Sequence, residues 1–75
     1  NFKVYPNPAK NKITVDAIQN QVESITIIDL TGRIVYTNSE FFTGIKSFNI
    51  NLPTGNYLVK LTGSKPYAVQ KLIIK

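Results

Sequence analysis

The stretch SFNINLPTGNY, residues 47–57, decides the fold of this chain. Apolar side chains stand at every second position, at Phe48, Ile50 and Leu52, as in a strand with one buried face. Pro53 and Gly55 follow as turn residues, and a second strand-forming run begins at Asn56. The stretch therefore predicts two strands joined by a tight turn.

The same succession of strands and turns extends over the whole chain. The four Gly and four Pro residues fall mostly between runs rich in Ile, Val, Thr, Tyr and Phe. These runs predict seven strands: Phe2–Tyr5, Lys12–Ala17, Ser24–Asp29, Arg33–Ser39, Ser47–Leu52, Asn56–Thr62 and Ala68–Lys75. We predict one all-β domain over residues 1–75, an immunoglobulin-like antiparallel β-sandwich of about seven strands, with a small barrel as the alternative.

Period-two alternation also predicts which side chains face the core. The predicted inward sets are Phe48, Ile50 and Leu52; Ile13, Val15 and Ala17; and Tyr57, Val59 and Leu61. Two runs, residues 25–28 and 72–74, are apolar on both faces, so their inward sides stay open. Gly32 and Gly55 occupy turn positions where a positive φ is expected.

The composition excludes most catalytic chemistry. The chain has no Cys and no His, which removes thiolate nucleophiles, disulfides, the usual zinc ligands and the side chain that titrates near neutrality. Its four carboxylates are Asp16, Glu23, Asp29 and Glu40. We expect Asp29 to accept backbone N–H bonds from its own turn and the other three to be solvated. The sequence predicts no catalytic residue, no bound metal and no cofactor.

The basic charge does not indicate a nucleic-acid binder. The net charge is +5 and the isoelectric point about 9.7, but the nine Lys and Arg residues are scattered along the chain. No apolar run approaches the roughly 20 residues that a transmembrane helix needs, so no transmembrane segment is predicted. The chain starts at Asn1 without an initiator Met, which indicates a piece of a longer protein.

Four short motifs follow one another along the chain. They are Tyr5-Pro6-Asn7-Pro8, Asp29-Leu30-Thr31-Gly32-Arg33, Leu52-Pro53-Thr54-Gly55-Asn56-Tyr57 with Lys60 beyond it, and the terminal Lys71-Leu72-Ile73-Ile74-Lys75. Their order and spacing resemble the type A C-terminal sorting domain of the type IX secretion system of Bacteroidetes. The signature residues on this resemblance are Pro6, Asn7, Pro8, Asp29, Gly32, Arg33, Leu52, Pro53, Gly55, Tyr57, Lys60, Lys71, Leu72, Ile73, Ile74 and Lys75.

The resemblance implies a secretion signal rather than an enzyme. It implies a cargo joined ahead of Asn1, passage through the periplasm, recognition by the outer-membrane translocon, and removal by a sortase-type protease as the cargo is anchored at the cell surface. The alternative is a non-catalytic accessory module, either fibronectin-like or carbohydrate-binding. The absence of Trp argues against carbohydrate binding.

Strands of alternating direction would gather the motifs at one pole. The loops Pro6–Asn11, Leu30–Gly32 and Pro53–Gly55 would then lie together with Lys75, and Asn1 would lie at the opposite pole. The hypothesis is that the translocon reads this pole, with Lys71–Lys75 as its main contact, through an exposed strand edge. The competing interpretation is that these turns serve only the hairpins.

Overall fold

A computed structural model describes residues 2–6, 10–63 and 68–75 of the chain. These residues form six strands and no helix, which confirms the all-β prediction. The strands are β1 (Lys3–Tyr5), β2 (Lys12–Asp29), β3 (Ile34–Asn38), β4 (Phe42–Asn49), β5 (Gly55–Gly63) and β6 (Ala68–Ile74). Within the described ranges there is accordingly no helix that could cross a membrane.

The long strand β2 is bent. Eighteen extended residues would measure about 60 Å, whereas the longest dimension of the molecule is 30 Å. The bend lies at Ile18, whose φ is +51°, and the Asp16 carboxylate accepts a 2.9 Å hydrogen bond from the Ile18 N–H. Between the pairs Asp16 with Ile45 and Gln21 with Thr43, β2 advances five residues and β4 only two, so β2 carries the extra length at the bend.

The bend divides β2 into halves with different neighbours. Residues 12–16 lie between β1 and β4. Residues 25–28 lie between β3 and β5, and β6 pairs with the other side of β5. We call the first set the three-strand group and the second the four-strand group. All the pairs are antiparallel, and this arrangement is compatible with the predicted two-sheet sandwich.

One apolar core joins the two groups. The predicted inward residues of β2 and β5 are buried, as are Phe48 and Ile50, and Leu52 is half-buried against them. Pairing also settles the two runs whose inward sides were open: Ile25 and Ile27 are buried in one, and Leu72 and Ile74 in the other. The remaining core members are Phe2, Val4 and Val22.

Several sequence-based boundaries and one glycine prediction were wrong. Predicted strands two and three are the two halves of β2, because the Ala17–Val22 stretch bends without leaving the strand. The predicted strand Ser47–Leu52 is instead β4, Phe42–Asn49. Gly44, which lies outside every predicted strand, has φ +81° and is part of β4 opposite the bend of β2. A positive φ is found at Gly32 (+92°), as predicted, but not at Gly55.

Candidate functional site

The Asp29–Arg33 motif forms a tight turn organised by one carboxylate. Asp29 Oδ1 accepts hydrogen bonds from the Thr31 N–H (2.9 Å), the Thr31 hydroxyl (2.5 Å) and the Arg33 N–H (3.0 Å). Two backbone bonds close the loop, from Asp29 N–H to the Arg33 carbonyl and from Gly32 N–H to the Asp29 carbonyl. The predicted role of Asp29 is therefore confirmed, and the turn presents a fixed backbone at the end of β2.

The same contacts set the electrostatics of Asp29. The Thr31 hydroxyl bond, followed by the Arg33 N–H bond, holds the pKa of the Asp29 carboxyl below its ordinary value of 3.8. The Nε of Arg33 also lies 3.3 Å from Asp29 Oδ2, although the Arg33 side chain is 78% exposed. Because that pair is open to water, we assign the order of the turn to the hydrogen bonds rather than to the ion pair.

The Leu52–Tyr57 motif closes the neighbouring turn from within. Tyr57 is buried, and its hydroxyl donates a 2.6 Å hydrogen bond to the Pro53 carbonyl. A tyrosine that bonds to the backbone a few residues upstream is also found at the corners of immunoglobulin-like sandwiches. Tyr57 is thus a core aromatic, as the sequence indicated, and it fixes the path of the chain into β5.

Strand register brings three of the four motifs together. Asp29 pairs with Tyr57 across β2 and β5, and Tyr57 pairs with Leu72 across β5 and β6. Gly55 pairs with Ile74, so the chain end lies beside the Pro53–Gly55 turn. We call this end of the four-strand group, formed by residues 29–33, 53–57 and 74–75, the turn end. The fourth motif includes Asn7 and Pro8, which lie outside the described residues.

The signature side chains differ in exposure. Leu72 and Ile74 are buried, whereas Ile73 is half-buried and Lys71 and Lys75 are exposed. Lys60 is half-buried and pairs with Thr26 and Val69, farther from the turn end. The terminal motif therefore contributes both core residues and surface residues, so its five members cannot have one common role.

The opposite end of the four-strand group is formed by the bend of β2. Val22 pairs there with Gly63, and Lys3 pairs with Asp16 just before Ile18. A Cβ at Gly63 would overlap the carbonyl oxygen of Gln21, so only glycine fits this approach of backbones. We call this end the bend end. The N-terminal strand β1 thus begins beside the bend end, whereas β6 finishes at the turn end.

Two of the other three carboxylates, Asp16 and Glu40, have structural partners. Asp16 caps the bend, and Glu40 lies 3.3 Å from the Lys46 amine while its backbone N–H donates to Asn38 Oδ1. Glu40 is exposed to solvent, as expected, in addition to its contact with Lys46, whereas the expectation that Asp16 would be solvated was wrong because Asp16 is half-buried and bonded to the Ile18 N–H. Asp16 and Asp29 stand on different halves of β2. Among the described residues no group of three or more Asp and Glu side chains could hold a metal ion.

A shallow depression lies at the start of β2. It is lined by Pro6, Lys10, Asn11, Lys12 and Thr14. One lining residue, Asn11, accepts a hydrogen bond at its carbonyl from the Ile50 N–H, just after the end of β4. The lining residues carry two amines and one hydroxyl, which is no recognisable catalytic set.

A family model described as the secretion system C-terminal sorting domain matches residues 3–75, which is nearly the whole chain. The chain belongs to this family. A sorting domain of this kind is the C-terminal signal that directs type IX secretion of cargo proteins, and the family is not catalytic. No curated protein matches the chain. The sorting domain is therefore attached to an N-terminal cargo, works with the type IX machinery, and serves export across the outer membrane.

Proposed function

We propose that this sorting domain offers its turn end to the outer-membrane translocon while the cargo extends from the bend end. The observation that carries the proposal is the cross-strand row Asp29–Tyr57–Leu72, which brings three signature motifs to one end. β1 starts beside the bend end, so a cargo joined ahead of it leaves the turn end open. The cargo passes through the periplasm before this step.

The second part of the proposal concerns the fate of the domain. After passage through the translocon, a sortase-type protease at the cell surface removes the domain while the cargo is anchored. The domain contributes no catalysis to this step. In support, Asp29 Oδ1 is occupied by three hydrogen-bond donors and Asp16 caps the bend, so neither carboxylate is held near the other for acid–base work.

Deleting residues 71–75 would not test the recognition surface. Leu72 and Ile74 are buried in the core, so their loss would open the domain whatever the translocon reads. A sharper test changes only exposed residues at the turn end. Arg33→Glu combined with Lys75→Glu alters the charge there while leaving the core intact.

The experiment fuses a reporter ahead of Asn1 and follows its location in a type IX-competent cell. The matched control is Lys3→Glu combined with Lys12→Glu, the same charge change at exposed positions of the three-strand group. We expect the turn-end variant to accumulate in the periplasm and the control variant to reach the surface. Thermal unfolding of the purified variants verifies that both are folded. Equal export of two folded variants would show that the translocon does not recognise the turn end.

A further inference from the structure

Strand β4 is the longest of the strands that pair on one side only. It has eight residues and pairs with β2, and among the described residues no strand pairs with its other edge, which we call the free edge of β4. The other strands paired on one side, β1, β3 and β6, have three, five and seven residues. The N–H and C=O groups along an unpaired edge can bond to a strand of another molecule. β4 therefore offers the longest template for strand addition.

The sequence of β4 suits pairing with a second copy of itself. In an antiparallel pair centred on Ile45, each Ile45 would face the other, and Phe42 would face Phe48 of the second copy. Thr43 would face Ser47, and Ile45 is already 62% exposed. Aromatic and β-branched cross-strand pairs of this kind stabilise sheets. Self-pairing would thus be favourable on both faces of β4 unless another residue opposes it.

One charged side chain interrupts the inward face of the free edge. Lys46 pairs with Val15, which pairs in turn with Val4, and both valines are buried. Because the side chains of one cross-strand row lie on the same face, Lys46 ends a row that faces the core. Its side chain is 32% exposed. An inward-pointing charge on an edge strand is one of the features by which natural sheets avoid edge pairing.

Contacts within the domain hold the Lys46 amine on this face. Its Nζ lies 3.3 Å from Glu40 Oε2 and 6.0 Å from the centroid of the Phe48 ring. The Phe48 ring packs edge-on against Tyr36 and Phe42. Phe42, Lys46 and Phe48 share the inward face of β4, so a strand added beside β4 would contact all three side chains.

We propose that Lys46 guards the free edge of β4 against pairing with a second copy of this chain. An added strand would cover the Lys46 amine, and the cost of removing this charge from water would oppose association. In the register centred on Ile45, Lys46 would face Gly44, which has no side chain to offer a compensating partner. This guard acts whichever surface the translocon recognises, and it keeps one sorting domain separate from the next.

The test compares self-association of purified variants by sedimentation velocity over a range of protein concentrations. Lys46→Val removes the charge and introduces a residue of high strand propensity. Lys46→Arg keeps the charge, and Lys12→Val removes the same charge at an exposed position of β2 while leaving the free edge of β4 unchanged. We expect Lys46→Val to associate at concentrations about tenfold or more below those that the wild type needs, and both controls to stay within about twofold of the wild type.

Two further measurements locate the contact. Hydrogen exchange of the β4 amides in Lys46→Val should slow as the protein concentration rises, because N–H groups at the edge become bonded. Adding Ile45→Lys to Lys46→Val should restore the monomer, because like charges would then face each other across the pair. Thermal unfolding checks that each variant is folded. If Lys46→Val is unfolded, Lys46→Gln takes its place, since it removes the charge and keeps a long side chain, and it should associate in the same way.

Any of three results would overturn this role of Lys46. The first is that the folded, uncharged variant stays monomeric wherever the wild type does. The second is that Lys12→Val associates to the same extent, which would assign the effect to the lower net charge. The third is that association of Lys46→Val persists with Ile45→Lys and leaves hydrogen exchange in β4 unchanged, which would place the contact on another surface.

Discussion

The Tyr57 hydroxyl donates a 2.6 Å hydrogen bond to the carbonyl oxygen of Pro53, four residues earlier in the chain. The bond ties the turn before β5 to the core, because the Tyr57 ring is itself buried. It also fixes the Pro53–Gly55 turn next to Ile74, which pairs with Gly55. The Tyr57 side chain thus fixes the position of the Pro53–Gly55 turn beside the last residues of β6.

Tyr57→Phe should lower the free energy of unfolding by about 1 kcal/mol, since the ring remains in the core and one hydrogen bond is lost. Denaturant unfolding of the purified domain measures the change. Tyr36→Phe is the control, because the Tyr36 hydroxyl has only a long 3.4 Å contact with Asn38 Nδ2. A larger loss from Tyr36→Phe would contradict the importance assigned to the Tyr57 bond.

Gly63→Ala should destabilise the domain by roughly 1–3 kcal/mol, the usual cost of forcing extra volume into a packed site. Its Cβ would overlap the Gln21 carbonyl oxygen, which belongs to the backbone of β2 and has little freedom to move. Gly55→Ala is the matched control, because its Cβ would meet only the Tyr57 ring at an ordinary 3.7 Å. The measurement compares the denaturant concentrations at the unfolding midpoints of Gly63→Ala and Gly55→Ala. Similar midpoints would argue against the close approach at the bend end.

Leu72→Ala should cost about 2–5 kcal/mol of the free energy of unfolding, because Leu72 is fully buried and its truncation leaves a cavity. Ile73→Ala, one residue on and half-buried on the other face, should cost clearly less. Thermal melts of the two variants provide the comparison. Equal losses would mean that β6 is not held in the register described.

Lowering the pH should remove the stabilisation that depends on the Asp29 charge. The folded-state pKa of Asp29 is below its ordinary value of 3.8, so its contribution is complete above pH 3.8 and is lost as the pH falls through the folded-state pKa. Asp29→Asn should flatten that part of the profile of melting temperature against pH. If Asp29→Asn shows the same dependence of melting temperature on pH as the wild type, the Asp29 charge does not contribute this stabilisation.

The inward-facing side chains could be predicted from the sequence wherever apolar and polar residues alternate regularly along a strand. Phe48 and Ile50, like Val59 and Leu61, are buried as their spacing predicts. The doubly apolar runs needed tertiary information, because Ile27 and Leu72 are placed inward only by their pairing with Val59 and Tyr57. No periodicity within one strand can supply that choice.

The bend of β2 was missed for a local reason. The stretch from Ala17 to Asn20 contains no Gly or Pro, and Ile18 is a β-branched residue for which a positive φ is unusual. The available signal was Asp16, whose carboxylate can bond two residues ahead and does so with the Ile18 N–H. Alternating strand directions predicted that the Leu30–Gly32 and Pro53–Gly55 turns lie at one end, but the pairing of Asp29 with Tyr57 and of Tyr57 with Leu72 depends on register between strands and could not be read along the chain.

The burial of Leu72 and Ile74 has a consequence for protein synthesis. Both belong to the core, yet the ribosome makes them after every other residue of that core. A chain that stopped before β6 would leave one edge of β5 unpaired and the core open beside Tyr57 and Val59. The complete core of the sorting domain therefore forms only in molecules that are translated through Ile74. Fragments cut short inside β6 contain the other five strands but lack the part of the core that Leu72 and Ile74 supply, so synthesis of β6 is the step that completes the core.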